Sequence, residues 1–154
     1  MLFDPPKIVE TTVFARLPEE LKSAGPAKGW AAGQPLGTPT GSLLEGPSFD
    51  REGNFWCVDV QNGRVFKLSR EGVFQVIAEY DGWPNGLKFH RDGRIFIADY
   101  KNGIMLLDPV NGKITPFVTR TQVEPFKGVN DLFFAASGDL YFTDQGQTGI
   151  ADPS

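Results

Sequence analysis

At 154 residues, 40% hydrophobic and 22% charged, the chain has enough apolar material for a buried core and too little charge for a disordered polymer. A net charge of -4, a pI near 5.0 and no Lys/Arg cluster argue against nucleic acid or an anionic membrane surface as a partner. The first residues carry no basic, apolar leader, no apolar run approaches the ~20 residues of a membrane span, and one cysteine cannot form an internal disulfide, so the cytoplasm is the expected compartment.

Residues 1–42 read as a strand followed by a Gly/Pro-rich loop. Ile8–Ala15 is the strand candidate, Pro18–Ser23 a possible helical turn, and residues 22–42 a long loop of the kind that serves as a lid or a disordered linker, its run into Glu45 favouring the lid. Residues 43–80 then parse into four short strands, at 45–49, 54–60, 64–69 and 73–78. In the second of these Phe55, Cys57 and Asp59 alternate with Trp56, Val58 and Val60, a period-2 pattern rich in aromatic and β-branched residues. Asn62-Gly63 predicts a type I′ hairpin turn, in which both central residues take positive φ.

Residues 81–121 repeat the plan, with strands at 86–90, 94–100, 103–108 and 113–118. Residues 122–154 begin it again, with strands at 131–135 and 139–144. The copies align residue by residue. Positions 45, 53 and 59 recur 40 residues later at 85, 93 and 99, and a further 45 later at 130, 138 and 144. Four strands per repeat of this length is the pattern of a β-propeller blade, so the chain is all-β with about two and a half blades. Closed propellers take about four to eight blades, so either the chain is a fragment or it completes a ring by self-association.

The repeat isolates a column of oxygen-bearing residues, Glu45, Asn85 and Asn130, each at the head of a first strand. First strands line the channel of a propeller, so the column has two readings. It is either a set of ligands for a hard cation such as calcium, with no His or Cys cluster to suggest another metal, or a set of turn-formers where each strand begins. The second polar column, Asp59, Asp99 and Asp144, closes strands, and Asx-type bonds to the following turn account for it. Asp131 adjoins Asn130 and is the better candidate for accepting a proton. Trp83, Pro84, Phe126 and Lys127 precede the column and either line a pocket mouth or pack between blades. His90 reads as an exposed turn residue without an acidic partner, and Cys57 as a buried, inert thiol.

Leu44-Glu-Gly-Pro47, Pro84-Asn-Gly-Leu87, and Gly128-Val-Asn-Asp131 with Gly138-Asp-Leu-Tyr-Phe-Thr-Asp144 together resemble the gluconolactonase/regucalcin (senescence marker protein) family over residues 43–154. The resemblance implies part of a six-bladed propeller with a catalytic divalent cation on its axis: calcium, or another such as Mn2+ or Zn2+. Many members hydrolyse sugar lactones, and relatives of the diisopropyl-fluorophosphatase type cleave organophosphates. It further implies Glu45 and Asn130 as metal ligands, Asp131 as the catalytic carboxylate, and Asn85, Lys127 and Trp83 as substrate contacts. An Arg that animal members carry stands here as Gly128, and the later ligands that complete the metal site have no counterpart in the chain. The expected function is a metal-dependent lactonase acting on a small lactone, present here as an N-terminal fragment inactive by itself. The alternatives are a non-catalytic binding propeller with a structural calcium ion, or an inert truncated chain.

Overall fold

In the computed structural model, residues 6–24, 31, 32 and 41–146 are described. Most of the loop expected over 22–42, and residues 147–154, lie outside them. Ten strands follow in chain order: β1 (Leu44–Phe49), β2 (Phe55–Asp59), β3 (Arg64–Leu68), β4 (Phe74–Glu79), β5 (Pro84–Phe89), β6 (Ile95–Asp99), β7 (Gly103–Asp108), β8 (Lys113–Val118), β9 (Val129–Phe134) and β10 (Leu140–Asp144). They form two four-stranded antiparallel meanders, β1-β2-β3-β4 and β5-β6-β7-β8, and an antiparallel pair, β9-β10. Every strand expected from the alternation is present, its ends within two residues of those predicted. A 3-10 turn, Glu19–Leu21, stands where a helical turn was expected.

The alternation decides which side chains meet. From β2, Trp56 and Val58 face the second sheet and join Leu87, Ile95, Ile97, Met105 and Leu107 in one core cluster. Phe96 and Ala98, one residue out of step on β6, turn the other way. They meet Val129 and Leu132 of β9, with Phe126, Phe134 and Phe142 around them. The sheets therefore stack face to face like successive propeller blades, each burying one side of its centre strands against the next. Edge-to-face pairs, Trp56 on Phe89 at 5.5 Å and Phe96 on Phe134 at 5.0 Å, lock both seams.

Ile8–Ala15 is not a strand. The segment crosses the outer face of the first sheet, where Ala15, Leu17 and Leu21 pack on Cys57, Phe66 and Leu68. The segment pairs with no strand among the described residues, and Ile8 and Phe14 stay 91% and 65% exposed. The β2–β3 turn also departs from expectation. Asp59 pairs with Arg64, so the loop holds four residues, and no non-glycine among the described residues has positive φ. Asn62 is held instead by its side chain, which donates to Asp59 at 2.7 Å, so the turn is not type I′.

Candidate functional site

The innermost strands β1, β5 and β9 lie next to one another, backbone against backbone, because glycine follows the first two members of the column. A Cβ at Gly46 would lie 2.8 Å from the Asn85 carbonyl oxygen and 2.9 Å from the Leu87 amide nitrogen. One at Gly86 would lie 2.7 Å from Asp131 Oδ1 and 3.1 Å from the Asn130 carbonyl oxygen. Only glycine lets strands approach this closely. Ser48 adds a buried bond across the first seam, its hydroxyl donating to the Leu87 carbonyl at 2.6 Å.

Each inner strand carries a bulge at the same place. Leu44 and Ser48 pair with Asp59 and Trp56, so four steps on β1 face three on β2. Pro84 and Lys88 pair with Asp99 and Phe96 in the same ratio, and Val129 and Phe133 with Asp144 and Tyr141. A bulge adds one residue and re-aims the side chains beside it. Glu45, Asn85, Asn130 and Asp131 all fall inside these bulged stretches. Glu45 is exposed, and Asn85 and Asn130 are half-buried. Among the described residues their side chains take no hydrogen bond or ion pair.

This donor set suits a hard cation in kind. A carboxylate and two amide oxygens, none bonded by a described residue, are oxygen ligands of the type calcium takes, although calcium completes a shell of six to eight. No group of three or more His, Cys, Asp or Glu that could hold a metal occurs among the described residues.

Asp131 lies over Gly86, beside Asn85. Its Oδ1 accepts from the Leu132 amide at 2.8 Å and sits 3.8 Å from the Lys88 ammonium, while its own amide donates to Thr143 Oγ1 at 3.2 Å. Lys88, Thr143 and Tyr141 line a recess of about 250 Å3 with it. Lys88 was not legible as a site residue, because the positions equivalent to it in the other repeats are Ser48 and Phe133. Trp83 stands at the start of β5 and tilts against Tyr100 at 6.0 Å. Lys127 is exposed, and its ammonium pairs with Glu124 at 2.9 Å. The structure thus gathers Glu45, Asn85, Asn130 and Asp131 on adjoining strands and leaves Trp83 and Lys127 upstream, each engaged by a neighbour.

The strand-closing aspartates do more than serve turns. Asp59 and Asp99 are fully buried. Asp99 accepts the turn amides of Lys101 and Asn102 at 2.8 and 2.9 Å, as Asx chemistry predicts. It also accepts the Tyr80 hydroxyl at 2.7 Å and the Trp83 amide at 3.2 Å, which reach back to the start of β5. Asp59 accepts the Leu43 amide at 3.1 Å, ahead of β1, and Asp144 the Lys127 amide at 3.1 Å, ahead of β9. The turn half of this role was readable from Asp-x-x-Asn spacing, and the half that reaches back needs tertiary structure.

His90 is not an exposed, unpartnered turn residue. Its Nδ1 lies 2.7 Å from Asp92 Oδ1, its side chain is 11% exposed, and its ring packs on Phe134 at 4.8 Å. The bond from His90 is the main reason the Asp92 carboxyl is held below the usual carboxylate range. Cys57 is buried as expected, and burial with the nearby Asp59 charge pushes its thiol up to about 12, which leaves it inert. No helix among the described residues is long and apolar enough to cross a membrane.

Residues 43–153 match the family described as the SMP-30/Gluconolactonase/LRE-like region. Lactonase drp35 of Staphylococcus aureus is 32% identical over 111 residues, covering 68% of this chain and 34% of that protein. Lactonase drp35 of Staphylococcus epidermidis is likewise 32% identical, over 112 residues, with the same coverage. The chain therefore spans about a third of the length of these curated relatives. Among solved structures, the gluconolactonase XC5397 of Xanthomonas campestris superposes with a TM-score of 0.62 at 23% identity, over 67% of this chain and 35% of that one. Virginiamycin B lyase of Staphylococcus aureus superposes at 0.52 and 19% identity, over 66% and 34%. At these identities the structural likenesses speak to the fold alone, and a lyase beside a lactonase means that the chemistry must be argued from side chains.

Proposed function

This chain belongs to the SMP-30/gluconolactonase/LRE-like family, and on that premise we propose that it forms part of a six-bladed propeller that hydrolyses small sugar lactones with the help of calcium or another divalent cation. The observation that supports the reading is the placement of Glu45, Asn85 and Asn130 on three neighbouring bulged strands, where none of the three side chains takes a hydrogen bond or ion pair from the described residues. Glu45 and Asn130 would hold the cation, which when bound supplies Lewis-acid polarisation of the lactone carbonyl. Manganese or zinc are the other candidates, and an all-oxygen donor set favours calcium or manganese over zinc.

The remaining roles fall to this chain's own groups. Asp131 has Oδ1 tied to the Leu132 amide, while Oδ2 takes no hydrogen bond from the described residues and is free to accept a proton from an attacking water. Asn85, next to it, offers an amide to the sugar hydroxyls. Trp83 offers an aromatic face to the ring, and Lys127 reaches the substrate by exchanging its bond to Glu124.

The test is hydrolysis of small sugar lactones by a polypeptide that includes this chain and closes the ring. Activity should be removed by EDTA, restored by calcium, and lost in Glu45→Gln and Asp131→Asn. Turnover indifferent to EDTA and to Glu45→Gln would sink the proposal. Binding of lactones without turnover would make the protein a binding propeller instead.

A further inference from the structure

We infer that Asp59 is a positioning residue for Glu45: its buried carboxyl fixes where β1 begins and so aims the Glu45 side chain at the channel. The inference rests on the reading of Glu45 as a cation ligand. A residue at a bulge is poorly fixed by its own ladder, because the extra residue interrupts the regular pairing there. Glu45 is the last paired residue before the bulge of β1, opposite Val58. On its C-terminal side the ladder is interrupted, so its anchorage is the Val58 pairing and the chain on its N-terminal side.

That side is clasped by one carboxyl group. Asp59 Oδ1 accepts the Leu43 amide at 3.1 Å, and the Leu43 carbonyl accepts the Val60 amide at 2.9 Å, so residue 43 is pinned from both of its backbone groups. Asp59 Oδ2 accepts the Asn62 amide group at 2.7 Å, and the same Nδ2 donates to the Gly41 carbonyl at 3.1 Å. Ser23 donates to Asn62 Oδ1, which steadies that amide. Residues 41 to 43 thus run along a rail made by Asp59 and Asn62, with Glu45 two residues beyond its end.

The other repeats build the same rail, which argues that it serves the column and not only the turn. Asp99 accepts the Trp83 amide, two residues ahead of Asn85, and the Trp83 carbonyl accepts the Tyr100 amide at 2.9 Å. Asp144 accepts the Lys127 amide, three residues ahead of Asn130, and the Gly128 carbonyl accepts the Gln145 amide at 3.3 Å. A turn aspartate needs only the turn, and each of these reaches back to the strand that bears a candidate ligand.

The experiment titrates the protein with terbium, an oxygen-seeking trivalent probe, followed by its luminescence at a temperature where every variant is folded. Glu45→Gln is the reference, and it should weaken terbium binding strongly. Asp59→Ala, which removes both bonds, should weaken it about 10-fold or more, within the range of 10–100-fold seen when a group that orients a metal ligand is removed. Asp59→Asn keeps an acceptor for the Leu43 amide but loses the one for the Asn62 amide, and should recover part of the affinity lost in Asp59→Ala. Ser48→Ala loses a buried bond on the far side of the same bulge and should leave affinity unchanged while lowering the melting temperature. Should Asp59→Ala fold poorly, Leu43→Pro deletes the donor with Asp59 intact, and the same loss of affinity is expected. If Glu45→Gln weakens binding and neither Asp59→Ala nor Leu43→Pro does, the positioning role is overturned and the cation site stands. If Glu45→Gln changes nothing, both fall.

Discussion

Replacing Gly46 with alanine tests the close approach that brings the column together. The new Cβ would lie 2.8 and 2.9 Å from atoms of the β5 backbone, which cannot rotate away, and Gly46 has φ of +61°, where an L side chain is strained. Left-handed backbone costs roughly 1–2 kcal/mol and overpacking typically about 1–3 kcal/mol, so about 3 kcal/mol is expected in all. Gly93→Ala separates the two parts. Gly93 has φ of +94° and nothing within 4 Å of its Cβ, so this variant carries the backbone cost alone, about 1–2 kcal/mol. For a chain of this size each kcal/mol moves Tm by roughly 2–4 °C, which puts Gly46→Ala at about 6–12 °C and Gly93→Ala at about 2–8 °C. Paired urea and thermal unfolding curves read by circular dichroism measure the difference. Equal losses for the two variants would refute the packing of β1 on β5 described above.

Three further outcomes follow from local chemistry. Burial pushes the Asp50 carboxyl up, but bonds from the Trp56 indole, the Asn54 side chain and the backbone amides of Asn54 and Glu52 outweigh it and hold the pKa at about 2, below the usual 3.8. With the folded value depressed, this stabilisation is present above about pH 3.8 and lost as pH falls through about 2, so Asp50→Asn should flatten the acid limb of stability against pH, and an unchanged limb would contradict the assignment. Tyr80→Phe removes the 2.7 Å bond to Asp99 and should cost about 1.5–3 kcal/mol in denaturant unfolding, as for a hydrogen bond to a charged group. Cys57, its thiol raised to about 12, should resist a disulfide reagent such as DTNB in the native protein and react fully in guanidinium, and rapid native labelling would show the first sheet's outer face to be open.

Much of the fold was written in periodicities. Three copies of one strand pattern, each punctuated by Gly-containing turns, gave the strands and the blade plan, because turn chemistry and short apolar runs depend on near neighbours. What escaped the sequence depends on contacts between distant residues. Ile8–Ala15 has the composition of a strand, but a strand also needs an edge to pair with, and the segment lies over a face. The bulges in β1, β5 and β9 cannot be read from Glu45-Gly, Asn85-Gly or Asn130-Asp, since register is a property of two strands. His90 found Asp92, two residues away, through the geometry of its own turn. In the candidate site the column itself was legible because it repeats. Lys88 beside Asp131, and the reach of Asp59, Asp99 and Asp144 to the strands ahead, were not.

That Glu45 and Asn130 ligate one cation is tested most directly by the calcium dependence of unfolding. With two protein ligands from this chain the affinity should be on the order of millimolar, as at weak oxygen-rich calcium sites. At ten times the Kd, calcium should stabilise the protein by about 1.4 kcal/mol and raise Tm by roughly 3–6 °C over a sodium control of equal ionic strength. This saturable rise is expected in the wild-type chain, and its loss in Glu45→Gln. A melting temperature indifferent to calcium, or a rise of the same size in Glu45→Gln, would contradict it.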